Sequence, residues 1–165
     1  MNAIEVLKAE LEMGRKWLMA LMSDVTGAEV TSPTPKGGNH PLWVLGHVTH
    51  SEAGLVSGFI LGQPNPLAKW DKLFGMGSQP VNDVNAYPSL AELQAEFDKV
   101  RANTLKVLSG MSESDLDKPS HAPAELSSMF GTVGQCFATL GLHCTFHGGQ
   151  AADARRAAGK KPVFG

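Results

Sequence analysis

Four segments of the chain repeat apolar residues at alternating three- and four-residue steps, the period of a helix with one buried face. In the first, residues 3–25, the stripe is Ile4, Leu7, Leu11, Leu18, Leu21 and Val25, with Gly14 at the missing position. Glu5, Lys8, Glu12, Arg15 and Lys16 lie off it. The second, residues 41–61, opens on Pro41, whose missing N–H costs nothing in a first helical turn. Gly62-Gln63-Pro64 ends it. The third, residues 89–109, starts at a capping box, Ser89-Leu90-Ala91-Glu92, and stops at Ser109-Gly110. Leu90, Leu93, Phe97, Val100, Val107 and Leu108 make its apolar face. The fourth begins near Ser128 or Thr132 and covers about residues 130–158, before Gly159 and Pro162. No segment alternates as a strand does. The pattern therefore predicts an all-α fold of four main helices, a four-helix bundle, in one domain spanning residues 1–165.

The connections differ in kind. Residues 63–88 are irregular, with Gly75, Gly77, Pro80 and several Asn, yet they carry Trp70, Leu73 and Phe74. A loop of this length is functional or packed by its own side chains. At about 3.3 Å per residue it can run the length of a bundle, so helices two and three can lie parallel across a long crossover. A polar stretch follows the third helix, with one helical turn expected at residues 112–116.

Composition narrows the class without changing this picture. Apolar residues make up 42% and charged residues 18%, which is globular and not disordered. A net charge of −2 supplies no basic field to steer the protein to nucleic acid. No apolar run approaches the roughly 20 residues that span a bilayer. Glu5, Glu10 and Glu12 interrupt the N-terminal segment and exclude a secretory signal, so the expected location is the cytoplasm. Cys136 and Cys144 stand eight apart on one predicted helix, about 12 Å at ~1.5 Å per residue. That exceeds the reach of a disulfide, and both read as small core residues.

Chemistry concentrates in the histidines. Of His40, His47, His50, His121, His143 and His147, only His143 and His147 have the four-residue spacing that sets two imidazoles on one helical face. An ordinary half-exposed pair has the same spacing. Here the pair shares its side of the helix with Cys136, Thr139, Leu140, Gln150 and Ala154. It therefore points with the core-facing stripe, where two imidazoles need partners and a metal ion supplies one. Gly148 and Gly149, poor helix residues, imply room or close backbone approach beside the pair. A third ligand must come from His47 or His50. His47 lies mid-stripe with Trp43, Val44, Ser51, Gly54, Leu55 and Gly58, and His50 lies nearer the edge. The wheel favours His47 as the inward ligand and His50 as a boundary or supporting residue. His40 reads as a helix-start residue and His121 as a loop residue. Glu52 projects away from His47, and Asp71 and Asp83 can approach the site only if the crossover folds over it.

The segments W43-V-L-G-H47-V-T-H50 and H143-C-T-F-H147-G-G-Q150 resemble those of the DinB-like (damage-inducible) bundle proteins. K69-W-D-K-L-F-G-M-G77 and A86-Y-P-S-L-A-E-L resemble that family's crossover and third helix, so the likeness spans nearly the whole chain, to about Arg156. The resemblance implies a four-helix bundle and a divalent metal held by His47, His143 and His147. Three neutral imidazoles leave open coordination positions, the arrangement of a catalytic and not a closed structural site. Nitrogen ligands suit Zn, Ni or Fe. Two function classes follow. One is a metal-dependent enzyme on a small-molecule substrate, of thiol-dependent transferase, isomerase or hydrolase type. The other is a non-catalytic metal-binding or stress-response protein acting as a homodimer.

Overall fold

A computed structural model describes residues 1–164. Seven helices order the described chain: α1 (Ala3–Met22), α2 (Pro41–Gly54), α3 (Asp71–Phe74), α4 (Leu90–Ser109), α5 (Glu113–Leu116), α6 (Ser127–Phe130) and α7 (Val133–Ala157). Among the described residues there is no strand beyond two isolated bridges, Thr34 with Gly37 and Pro119 with Thr132. None of the described helices is long and apolar enough to cross a membrane.

Local chemistry sets the helix starts. Reciprocal capping boxes open α1 (Asn2 with Glu5), α4 (Ser89 with Glu92) and α7 (Thr132 with Gln135). The His40 side chain caps α2 by accepting from the Trp43 backbone N–H, with Pro41 in the first turn. The ends differ from the periodicity in three places. The first helix stops at Met22 and not Val25, because Ser23 turns back onto the Ala20 carbonyl; Val25 stays buried without being helical. The second keeps α geometry only to Gly54 and continues as a π-helix from Leu55 to Ile60, a change in winding that an apolar stripe does not encode. The widened turn presents its carbonyls to other segments, accepting from Gln63 N–H and His121 N–H at 2.7 Å each. The fourth begins at Val133, and Ser127–Phe130 forms the separate α6.

The four long helices pack in a ring, α1 on α7, α7 on α2, α2 on α4 and α4 on α1. Their directions follow from what they share. One core cluster joins Leu42–Val48 of α2 to Leu93 and Phe97 of α4, Leu18 and Met22 of α1, and Cys144 and Ala151 of α7. A second joins Val56 and Ile60 to Leu108, Leu11, Phe137 and Leu140. Helices α2 and α4 are therefore parallel to each other, and antiparallel to α1 and α7. The crossover at 61–89 makes that topology possible, as its length predicts.

At mid-height Arg101 of α4, 1% exposed, donates from Nε and Nη2 to the two carboxylate oxygens of Glu52 on α2 at 2.8 and 2.7 Å. Its Nη1 bonds the Leu11 carbonyl of α1. Removing one partner of such a pair strands a buried charge. Glu52→Ala is expected to lower unfolding stability by about 3–5 kcal/mol, whereas joint replacement by Glu52→Leu and Arg101→Met costs less, as urea denaturation of both variants will measure.

Candidate metal centre

α2 and α7 face each other where the first core cluster gives way to the surface. His47 of α2 and His143 and His147 of α7 meet there, with one ligand-capable atom from each lying within 4.8 Å of the others. The ring centroids are 4.5 Å apart for His143–His147, 4.6 Å for His47–His147 and 5.1 Å for His47–His143. This is the set that the four-residue spacing and the α2 stripe point to. Among the described residues no cysteine or carboxylate joins the cluster.

Hydrogen bonds at Nδ1 of two rings leave Nε2 of each available as a ligand. His47 Nδ1 donates to the Phe74 carbonyl at 2.7 Å. His147 Nδ1 donates to Gln150 Oε1 at 2.7 Å, and the same oxygen accepts from Asn39 Nδ2 at 2.8 Å. A carbonyl or amide oxygen accepts only, so Nδ1 carries the proton in both rings and Nε2 keeps its lone pair. This is the orientation that metal-bound imidazoles show. The donor chemistry thus fits a divalent cation.

Burial keeps these imidazoles neutral. Desolvation lowers the pKa of His47, against the opposing hydrogen bond to Phe74, and the nearby His50 adds to the lowering. Desolvation likewise lowers His147, against its bond to Gln150. His143 is pushed down to about 3, first by burial and then by its two histidine neighbours.

His50 stands apart from the cluster. Its Nε2 meets Asp71 Oδ1 at 2.6 Å and Asn65 Nδ2 at 3.2 Å. The crossover therefore does fold over α2. Within one turn, α3 supplies Asp71 to His50 and the Phe74 carbonyl to His47. Two glycines admit it: a Cβ at Gly46 would stand 2.2 Å from the Phe74 ring, and one at Gly54 2.8 Å from Asn65 Nδ2. The room expected at Gly148 and Gly149 serves no such purpose, since nothing lies within 4 Å of a Cβ at Gly149 and Leu21 lies at an ordinary 3.6 Å from one at Gly148. Asp83 caps a turn at Asn85, Glu52 is held by Arg101, and His121 is an exposed loop residue. His40 is a helix start, as expected, but is fully buried, with Nε2 donating to the Val81 carbonyl at 3.0 Å. Cys136 and Cys144 are free and buried, and burial pushes the Cys144 thiol up to about 11. Sequence reasoning missed Asn39 and the Phe74 carbonyl, because both reach the site through tertiary contact alone. Gln150, three residues after His147, carried a signal in its helical spacing.

Titrations of single variants test this arrangement. His47→Ala should lose metal affinity as His143→Ala and His147→Ala do, His50→Ala should leave the three ring nitrogens in place, and Gln150→Ala should cost about 10- to 100-fold. The pH dependence follows from the lowered pKa values. Each group binds protons more weakly folded than unfolded, so its contribution to stability is complete above the ordinary value near 6.5. It is lost as pH falls from there toward the folded value, about 3 for His143. Metal binding should therefore begin to weaken at a lower pH than the ordinary histidine value of about 6.5 anticipates, with calorimetric titration across pH as the check.

The family comparison agrees with the geometry. No curated protein matches the chain. The sequence model of the DinB superfamily matches residues 10–151, a span that holds all three histidines of the cluster together with Asn39, Phe74 and Gln150. The chain belongs to the DinB superfamily.

Proposed function

We propose that His47, His143 and His147 hold one divalent metal ion through Nε2, and that the protein is a metal-dependent enzyme acting on a small molecule. The observation that supports it most is the pair of Nδ1–H donors, His47 to Phe74 and His147 to Gln150, which leave Nε2 of both rings unprotonated in a cluster whose ligand-capable atoms lie within 4.8 Å of one another. His143, whose neutral form is favoured most strongly, completes the set. Three protein ligands leave positions open, which favours catalysis over a structural role. Held by these three residues, an ion would lower the pKa of a bound water or thiol, or polarise a substrate oxygen. The reaction is of thiol-dependent transfer, isomerisation or hydrolysis type, and Zn, Ni or Fe fits the nitrogen donors.

The protein's own groups act around that ion. Phe74 and Gln150 fix two ring orientations. Trp43, buried, stacks on His47 at 4.5 Å with the planes 9° apart and excludes water from that side. Among the described residues no carboxylate joins the cluster to act as a base, Glu52 being bound to Arg101 and Asp71 to His50.

A ligand that binds only the folded chain adds RT ln(1 + [L]/Kd), about 2.7 kcal/mol at a hundredfold excess over Kd. Zn or Ni should therefore raise the Tm of verified metal-free protein and a chelator should reverse it. Turnover of thiol and ester panels by the loaded protein is the accompanying expectation. Metal binding without turnover would favour the non-catalytic reading, and no change in Tm with either metal would remove the site.

A further inference from the structure

An open cavity of about 580 Å³, lined by residues 30–35, Gly37 and Asn82, includes none of the three histidines. The groove that touches the cluster has a volume of about 470 Å³ and runs along the outer face of α7, with α6 at one end. We infer that this groove seats an uncharged, apolar portion of the substrate whose polar end reaches the metal; the inference rests on the metal-enzyme reading above.

Three observations support it. The first is continuity. His143 lines the groove, and so does Phe146, whose ring stands edge-on to His147 at 5.1 Å. His143 thus borders it directly, and His147 lies behind Phe146. The second is closure on the other side. Trp43 covers His47, the Phe74 carbonyl is bonded to it, and the Phe74 ring is packed on Gly46, so a ligand has no comparable approach from α3. The third is chemistry. Met129, Ala138, Leu142 and Phe146 form the apolar half of the lining, uncharged Ser128, Gln135 and Thr139 join His143 in the rest, and no Lys, Arg, Asp or Glu lines it. Met129 is 56% exposed, and Leu142 and Phe146 are 66% exposed each. Large apolar side chains grouped in the open mark a binding surface more often than single ones do. A carboxylate or phosphate would find no cation there, since the buried arginines are engaged elsewhere, Arg101 by Glu52 and Arg155 by Asp24. An alkyl or aryl group would gain from burial.

The test uses Zn-loaded full-length protein and two probes that bind metal alike but differ in tail, acetohydroxamate and octanohydroxamate, titrated calorimetrically. A fully buried methylene tightens binding about fourfold and a half-buried one about twofold, so the longer probe should bind at least roughly tenfold more tightly. Leu142→Gln and Met129→Gln, at exposed positions that do not endanger folding, should erase most of that preference while Zn affinity stays at the parent value. Equal affinities of the two probes for the parent protein would overturn the inference and leave the metal site standing. A tail preference unaffected by either substitution would overturn the location. If the groove is instead covered by a second copy, sedimentation will show a dimer that Leu142→Gln dissociates, with no tail preference, and the inference fails. Failure to bind Zn at all would remove the metal reading and this inference with it.

Discussion

Arg101 sits where all four long helices come together. It holds both oxygens of Glu52 on α2 and the Leu11 carbonyl of α1, and it adjoins the Cys144 thiol of α7. Removing two charges from water costs several kcal/mol per ion, so such a pair is a poor source of net stability. It is a strong constraint on register. Sliding α2 by one residue against α4 would leave both charges buried and unpaired. Glu52 follows His47 by five residues, and Cys144 follows His143 directly. The contact that fixes how the helices align therefore also fixes where His47 meets the α7 pair.

The second constraint is the crossover. Parallel α2 and α4 require a long return, and that return is packed, with Phe74 fully buried and Leu67 nearly so. Because it crosses α2 beside the histidines, its backbone can hold a ring that α2 itself cannot. Phe74 contributes its side chain to the core and its carbonyl to His47, so folding of the crossover and orientation of the ring are one event. Asp71, on the same short helix, holds His50 from the solvent side. Topology thus supplies the outer contacts of the site, while α7 supplies Gln150 from its own next turn.

Much of this was legible in the sequence. Helical periodicity and stop signals give the four long helices, and the Ser89–Glu92 box places the start of α4 to the residue. The four-residue spacing of His143 and His147 and the stripe through His47 point to the residues that the structure brings together. What was not legible depends on contacts between distant segments. A period of 3.6 cannot show that the helix after Gly54 rewinds as a π-helix, nor that Glu52, off the His47 stripe, meets an arginine 49 residues later. Gly46 reads as a weak helix residue until Phe74 is found against it. Asn39, in a loop of turn-forming residues, gives no sign that it will fix Gln150. Gly148 and Gly149 gave a misleading signal, because low helix propensity beside a site is not evidence of crowding.

X-ray absorption at the Zn edge of protein loaded with one equivalent of metal tests the central claim most directly. The account predicts three imidazole nitrogens at about 2.0–2.1 Å, a remaining light scatterer from solvent, and loss of one imidazole contribution in His47→Ala. A sulfur scatterer near 2.3 Å, or a spectrum unchanged by His47→Ala, would contradict it.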